Sequence, residues 1–315
     1  MTNPGESSPS RVNPTFGHRV EYAAAMLLGG LVRRLGPSGA DRMGVTVGRI
    51  VYSLMKSRRW LAEDNLRLSM GDSLSEMEIQ QTIRRVFENI GRSLVEFGRF
   101  PVMTLEDVNR LVVGEGKEQL RKAHEEGKGC MFLTSHYGNW ELLGAWVRAQ
   151  GYPVSLIVGT QSNPLIHQMI NWFRSSLEVD VIQVQELRKV FRFLKNNGVV
   201  ATAGDQHAPA EAILLDFLGR PAWVARGPAL FAHRCGCPIL PCLMVRERLD
   251  RHRVIAGELI YSPQSGDDEA DILEMTRAHV RFFEEGIRRY PDQWMWTHKR
   301  WKVAKKSGNQ SEAGT

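Results

Sequence analysis

Short apolar runs alternate with amphipathic stretches over most of the chain after residue 108. The run 129–134 is almost entirely apolar and leads through a polar turn into the apolar stretch 142–147. This pattern is typical of a buried strand followed by a helix that packs on it. Repeated along the chain, it predicts an α/β fold, with a mostly parallel central sheet flanked by helices. The other predicted strands are 154–158, 179–182, 199–203, 239–245 and 254–260, and the predicted helices are 117–124, one that begins at Asn163-Pro164, 188–195, 226–233 and 268–290.

Helical periodicity alone runs through the first 100 residues. Ser75 and Glu78 form a capping box that opens a long helix to about Phe97. The other helices of this section are predicted at 19–35, 43–55 and 61–70. The polar side chains Asn89, Arg92 and Glu96 of the long helix are interpreted as a solvated face, and the alternative is that they face a site. We therefore expect a disordered tail at 1–16, a single α/β domain at 17–302 that includes a helical, membrane-associated section at 17–100, and a polar tail at 303–315.

The charge balance of the chain is basic. Its 315 residues carry a formal net charge of +6 and give a pI of about 9.2, which favours an acidic partner such as anionic lipid, an acidic carrier protein or nucleic acid. The apolar helices 19–35 and 43–55 end near Arg, Lys and Trp60, a combination that suits the surface of an anionic bilayer. The apolar core of the first helix is far shorter than the roughly 20 residues that a membrane span needs. An ordinary core hairpin of helices is the alternative interpretation.

Neither a metal centre nor a nucleotide-binding loop is indicated. Cys235, Cys237 and Cys242 lie close together but lack ordinary zinc-ligand spacing. With Cys130 they are interpreted as buried free thiols. The glycine-rich loops that cradle nucleotide phosphates are absent.

A histidine stands where the strand 129–134 stops. His136 is followed by the turn residues Gly138 and Asn139, and Glu141 comes five residues after the histidine. The turn would let the imidazole fold back over the first helical turn, so that Glu141 bonds one ring nitrogen and the other nitrogen serves as a base. Such a base can activate a substrate hydroxyl without a serine or cysteine nucleophile. The alternative is a histidine that caps the helix or lies satisfied in the core.

The string Thr134-Ser135-His136-Tyr137-Gly138-Asn139-Trp140-Glu141 resembles the bacterial late acyltransferases of lipid A biosynthesis. These enzymes are a branch of the lysophospholipid acyltransferase superfamily, whose signature is His-x4-Asp/Glu, and the mycobacterial phosphatidylinositol mannoside acyltransferase is related to them. The resemblance implies acyl transfer to a lipid hydroxyl, with His136 as general base and Glu141 orienting it. It also implies an acyl carrier protein or CoA thioester as co-substrate with no other cofactor, and a place on the cytoplasmic face of the inner membrane, peripheral or shallowly inserted.

Several further residues match blocks of the same branch. Gly204-Asp205-Gln206-His207 follows the strand 199–203 and can converge with His136, because ligands bind at the carboxyl ends of parallel strands. Segments 216–222 and 226–229 resemble blocks that would line an acyl channel, although a turn followed by a core helix explains them equally well. The branch also has an arginine at the place of Arg174, which suits a phosphate or a polar head group. The candidate substrate-binding residues are Asn139, Arg174, Asp205, Gln206 and Arg226.

The segment 291–302 is rich in tryptophan and basic residues and resembles the closing block of the branch. We interpret it as packing under the sheet together with a membrane-surface edge. Two other functions remain open: a thioesterase-like hydrolase that uses the same base on water, and a non-enzymatic basic protein bound to membrane or nucleic acid. Nucleic acid is not expected as a partner, since a non-enzymatic binding protein would have no use for His136, Glu141 and Asp205.

Overall fold

A computed structural model describes residues 13–206 and 212–301. The predicted tails therefore lie outside the described residues except for 13–16, and so do His207 and Lys302. Within the predicted N-terminal tail, Thr15 caps a helix that begins at Phe16.

Four helices form the N-terminal section, as the sequence predicts. The Thr15 hydroxyl accepts from the backbone N–H of His18 at the start of the first helix. The predicted capping box of Ser75 and Glu78 is present at the start of the fourth. Among the described residues, no helix combines the length and the apolar character needed to cross a bilayer. The helices are α1 (Phe16–Arg34), α2 (Pro37–Leu54), α3 (Lys56–Met70) and α4 (Glu76–Phe97).

Helices α2 and α4 cross at a contact that only glycine permits. A Cβ at Gly91 of α4 would lie 2.2 Å from the carbonyl oxygen of Gly44, and a Cβ at Gly48 of α2 would lie 2.3 Å from the carbonyl oxygen of Phe87. Distances this short exclude any side chain, so the two backbones approach directly. The crossing fixes α2 against α4, and α4 in turn contacts the loop that contains Gly138, whose carbonyl accepts from the Ser93 hydroxyl.

The remaining chain builds the α/β layers. Its elements are α5 (Leu105–Leu111), β1 (Val112–Gly114), α6 (Lys117–Glu125), β2 (Cys130–Thr134), α7 (Trp140–Ala149), β3 (Val154–Val158), α8 (Pro164–Ser175), β4 (Asp180–Gln183), α9 (Arg188–Lys195), β5 (Val199–Ala203), β6 (Ala212–Phe217), β7 (Arg220–Ala225), α10 (Gly227–Cys235), β8 (Ile239–Arg248), β9 (Arg251–Ala256) and α11 (Asp268–Arg289). Seven strands form the central sheet in the order β1-β9-β8-β2-β5-β3-β4. All neighbours pair in parallel except β8 and β9. This arrangement confirms the predicted fold class.

Both faces of the sheet are covered, because the side chains of a strand alternate between faces. On β2, Met131 and Leu133 enter a core that includes side chains of α10 and α11. Cys130 and Phe132 enter the opposite core, with side chains of α6 and α7. A strand buried on both faces has no polar alternation, which explains the continuous apolar run in the sequence.

The structure departs from the prediction at residues 212–225. Residues 212–225 form an antiparallel hairpin, β6–β7, rather than a turn that leads directly into a helix. Its two-residue turn places Leu218 at φ 55° and Gly219 at φ 79°, the left-handed geometry that matches the twist of a hairpin. The predicted strand 254–260 is also shifted, since β9 is Arg251–Ala256. Helix α5 and strand β1 were not predicted.

Candidate active site

The register of two neighbouring strands brings His136 and Asp205 together. Strands β2 and β5 pair in parallel with Thr134 opposite Ala203. Two residues beyond each of these positions stand His136 and Asp205, so the two side chains meet at the carboxyl edge of the sheet. His136 Nδ1 lies 2.8 Å from Asp205 Oδ1. The His136 side chain is 22% exposed, whereas only 3% of the Asp205 side chain is exposed.

Both oxygens of the Asp205 carboxylate accept hydrogen bonds. Its Oδ2 accepts from the backbone N–H of His136 at 3.0 Å and from the indole N–H of Trp294 at 2.8 Å. Burial by itself raises the pKa of Asp205, but the charge of His136 and these hydrogen bonds outweigh it and hold the pKa below its usual value. Asp205 is therefore an anion next to the ring.

This arrangement fixes the tautomer of His136. A carboxylate accepts only, so Nδ1 carries the proton and Nε2 has the free lone pair. Consistent with this, the Gln206 side-chain nitrogen lies 3.3 Å from Nε2, where an amide N–H donates. Burial alone lowers the pKa of His136, but the charge and hydrogen bond of Asp205, with the charge of Glu141, outweigh it and raise the pKa.

The loop that carries His136 is held from two sides. Gly138 has φ +53°, and a Cβ there would lie 1.8 Å from the carbonyl oxygen of Met244, so glycine is required. The Gly138 N–H donates to the Gln293 carbonyl at 2.8 Å, and the Met295 N–H donates to the His136 carbonyl at 3.0 Å. The backbone of the loop is thus paired with the segment that follows α11.

Glu141 does not make the hydrogen bond that the sequence predicted. Both of its carboxylate oxygens are bound by Arg174, at 2.9 Å from Nε and 2.7 Å from Nη2. The carboxylate bonded to the His136 ring is Asp205, so the prediction that Glu141 orients the ring through a direct bond is wrong. The Arg174 side chain is mostly buried in this pair.

Asn139 joins a second buried group of charges. Its Oδ1 accepts from the Leu142 N–H at the start of α7, and its Nδ2 donates to Glu96 at 2.7 Å. Glu96 is also paired with Arg246, and His252 Nε2 lies 3.5 Å from it. Burial alone raises the pKa of Glu96, but the charges of Arg246 and His252 lower it well below its usual range.

The solvated face that was predicted for α4 is therefore wrong. Glu96 pairs with Arg246, Arg92 pairs with Asp41 at 2.7 Å, and Asn89 donates to the Asp292 carbonyl. Glu96 also lines, with Asn139 and His252, a cavity of about 350 Å³ between α2, α4, α5 and the β8–β9 turn. Asn89, Arg92 and Glu96 thus contact protein groups instead of forming a solvated face.

Arg226 lies apart from the other candidate residues. It stands at the start of α10 and pairs with Glu269 of α11 at 2.6 Å. Within the described part of the chain, no group of three His, Cys, Asp or Glu side chains is arranged to hold a metal ion.

Two contacts of the site were not predicted: Trp294 with Asp205, and Arg246 with Glu96. The segment of Trp294 was interpreted as packing under the sheet together with a membrane-surface edge, and nothing local links Trp294 to Asp205, 89 residues earlier. Arg246 did have a signal, because it continues the apolar run 239–245 with a charge that must find a buried partner.

Comparison with known proteins shows the family to which the chain belongs. The family model for bacterial lipid A biosynthesis acyltransferase matches residues 12–303. The chain is 25% identical over 265 residues to the lipid A biosynthesis lauroyltransferase of Escherichia coli, covering 83% of this chain and 85% of the relative. It is 23% identical to the lipid A biosynthesis palmitoleoyltransferase of the same organism, covering 83% and 84%. It is 24% identical to a phosphatidylinositol mannoside acyltransferase of Mycobacterium tuberculosis, covering 68% of each chain.

These matches confirm the resemblance carried by the string Thr134 to Glu141. The chain is an acyltransferase and belongs to the bacterial lipid A biosynthesis acyltransferase family.

Proposed function

We propose that the protein transfers a fatty acyl chain from an acyl thioester to a hydroxyl group of a membrane glycolipid, with His136 as the general base and Asp205 as the carboxylate that orients it. The observation that carries the proposal is the pair itself. Asp205 is buried and ionised, while the imidazole keeps an exposed side at the carboxyl edge of the sheet. No protein nucleophile is needed, because the acceptor hydroxyl attacks directly.

The reaction follows from the tautomer of the ring. Nε2 takes the proton of the acceptor hydroxyl while the hydroxyl oxygen attacks the thioester carbonyl carbon. The new C–O bond turns the carbonyl into a tetrahedral oxyanion, and Asp205 stabilises the imidazolium. Collapse of this intermediate breaks the C–S bond, and the thiolate takes the proton from Nε2. The products are the acylated lipid and a free thiol, and the base is restored.

Glu141 and Arg174 support this chemistry as a pair. Glu141 places a second negative charge near His136, which favours the imidazolium, and Arg174 fixes that carboxylate with two hydrogen bonds. Because two guanidinium nitrogens are bound to Glu141, we assign stabilisation of the oxyanion to backbone amides rather than to Arg174. Gln206, 3.3 Å from Nε2, stands where the acceptor hydroxyl would bind.

The acyl donor is proposed to be an acyl carrier protein or CoA thioester, and the acceptor a lipid A precursor or a related glycolipid. The relatives are named as a lauroyltransferase of lipid A biosynthesis and as a phosphatidylinositol mannoside acyltransferase. Mass spectrometry of lipids from cells that lack or overproduce the protein would identify the acceptor, as the species that loses or gains one acyl chain.

We also propose that the N-terminal section attaches the protein peripherally to the cytoplasmic face of the inner membrane. Large apolar side chains are exposed on α1, α2 and α3, with Leu27 at 77% and Trp60 at 66%. Basic residues follow them in the sequence, as expected for contact with anionic lipid. The exposed apolar residues are Phe16, Val20, Leu27, Leu28, Leu31, Ile50, Leu54, Met55 and Trp60, and the basic ones are Arg33, Arg34, Lys56, Arg58 and Arg59.

The mechanism is tested by His136→Ala in an assay that measures both acylated lipid and free fatty acid. Loss of a general base should lower the rate of acyl transfer by about 10²- to 10⁴-fold. His233→Ala is the matched control, because His233 is also partly buried and near a carboxylate but lies on α10. Full turnover in His136→Ala would overturn the mechanism. Release of free fatty acid by the wild type without any acylated lipid would favour hydrolysis instead.

A further inference from the structure

Trp294 occupies a rigid position beside the candidate site. It follows α11 and the short 3-10 turn Pro291–Gln293, and only 2% of its surface is exposed. Its ring packs against those of Trp296, Phe217 and Trp301, with centroid distances of 4.6, 5.6 and 6.2 Å. Surrounded by three aromatic rings, the indole has one orientation.

That orientation directs the indole N–H at Asp205. The distance from Nε1 to Oδ2 is 2.8 Å. This oxygen is the one that does not bond the imidazole ring, since His136 Nδ1 is bound to Oδ1. The indole therefore determines the rotation of the carboxyl group, which decides whether Oδ1 faces the ring.

The same segment holds the other member of the pair. Residues Tyr137 and Trp294 form a β-bridge, the Met295 N–H donates to the His136 carbonyl, and the Gly138 N–H donates to the Gln293 carbonyl. Residues 293–295 thus fix the backbone that carries His136 and the side chain of Asp205 at once.

We propose that Trp294 is a positioning residue for acyl transfer: its indole N–H holds Asp205 in the rotamer that pairs with His136, and residues 293–295 set the geometry of both partners. This inference rests on the proposed role of His136. The indole N–H also contributes to the low pKa of Asp205, which agrees with a hydrogen bond to the ionised carboxylate.

The test removes the N–H and keeps the ring. Site-specific incorporation of 3-benzothienylalanine at position 294 replaces the indole N–H by sulfur at nearly constant volume, and Trp294→Phe removes it with a smaller ring. In both variants kcat should fall by about 10- to 100-fold, because small losses of alignment cost rates of this order. KM should stay within about twofold, since Trp294 is only 2% exposed and has almost no surface that a substrate could contact.

A spectroscopic measurement tests the contact without relying on turnover. The Nδ1–H proton of His136 should give a downfield NMR resonance, assigned by its absence in His136→Ala. We expect it to broaden or move upfield in both variants at position 294. The benzothienylalanine replacement at position 146 is the control, because the Trp146 indole on α7 is equally buried but its Nε1 has no hydrogen-bond partner among the described residues. This variant should keep the resonance and kcat.

The outcomes separate the two proposals. A benzothienylalanine protein with wild-type kcat and an unchanged Nδ1–H resonance would overturn the role of Trp294. If His136→Ala is inactive at the same time, the proposed mechanism survives that result. If His136→Ala keeps full turnover, the mechanism fails, and the resonance alone still decides whether Trp294 positions Asp205. Loss of folding in Trp294→Phe would not affect the test, because the isosteric variant retains the packing.

Discussion

At the scale of single residues, the site depends on the contact between His136 and Asp205, which are 69 positions apart in the sequence. The spacing of His136 and Glu141 indicated that a carboxylate should assist the imidazole, and one does. The bond to the ring was predicted for Glu141, on the same strand-turn-helix unit, whereas Asp205 was predicted only to lie near His136. Parallel pairing of β2 and β5 provides a closer carboxylate, which leaves Glu141 free to bind Arg174.

The convergence of Asp205 with His136 could be predicted, because both follow strands of one parallel sheet. Which carboxylate bonds the His136 ring could not be predicted. Local spacing does not show which strand lies beside β2, and strand order depends on packing over the whole chain. The contact of Trp294 with Asp205 was beyond prediction for the same reason.

Asp205→Asn should lower kcat/KM by about 10²- to 10⁴-fold, since an amide can present its N–H to Nδ1 and favour the wrong tautomer. It should also shift the acid limb of the pH profile. Asp205 raises the pKa of His136, so the wild type loses activity as the pH falls through that raised pKa. Without the carboxylate the pKa falls, and the limb moves to lower pH.

A pH profile of residual kcat/KM measures this shift. Asp216→Asn is the control, because Asp216 is an exposed aspartate that accepts from the Gly219 N–H in the hairpin turn. An acid limb that stays in place in Asp205→Asn would show that Asp205 does not set the pKa of His136.

At the scale of elements, most helices and strands follow from hydrophobic periodicity, and the exceptions have identifiable causes. The β6–β7 hairpin was missed because Leu218 occupies a left-handed turn position, which sequence rules reserve for glycine or asparagine. The polar residues of α4 were assigned to solvent because periodicity reports the apolar face alone. It does not show that Glu96 and Arg92 meet charged partners.

The crossing of α2 and α4 gives a prediction at this scale. Alanine is the better helix former by about 1 kcal/mol, yet Gly91→Ala should lower the free energy of unfolding. The added methyl group would force the backbones apart, and overpacking of this kind costs about 1–3 kcal/mol. Chemical denaturation monitored by circular dichroism measures the change.

Gly30→Ala is the matched control for the crossing. Gly30 lies in α1, and a Cβ there meets nothing within 4 Å. This variant should be neutral or more stable by up to about 1 kcal/mol. If Gly91→Ala is as stable as Gly30→Ala, the glycine contact does not limit the approach of the two helices.

At the scale of the whole molecule, the proposed membrane surface predicts binding to lipid vesicles. The protein should co-sediment with vesicles that contain phosphatidylglycerol, and binding should weaken with salt, because attraction of basic residues to anionic lipid is screened. Leu27→Glu together with Leu31→Glu should abolish most of the binding, since both side chains are exposed on α1.

The control for the vesicle experiment is Leu214→Glu. Leu214 is an exposed leucine on β6, outside the N-terminal section. This variant should bind as the wild type does. Equal loss of binding in Leu214→Glu and in the α1 double variant would argue against an attachment surface on the N-terminal helices.

Buried His279 predicts how the stability of the whole fold depends on pH. Burial lowers its pKa from 6.5 to about 4. Its Nδ1 lies 3.2 Å from the Met275 carbonyl, and its Nε2 has no partner in the described structure. The unfolded chain therefore binds a proton that the folded protein does not bind between pH 6.5 and 4.

Stability should consequently fall as the pH drops through this window. The loss attributable to His279 is at most about 3–4 kcal/mol, because one pKa unit corresponds to about 1.4 kcal/mol. Unfolding by urea at several pH values should show a smaller acid loss in His279→Leu than in the wild type. Identical pH dependence in the two proteins would exclude His279 as a source of acid sensitivity.

The pairing of residues 293–295 with the His136 loop also has a consequence for the growing polypeptide. This segment is synthesised after every strand of the central sheet. A nascent chain therefore contains the sheet strands before residues 293–295 can fix His136 and Asp205 in place. The growing chain would thus gain catalytic activity only near the end of its synthesis. Under the proposed function, an incomplete chain would not consume acyl thioester.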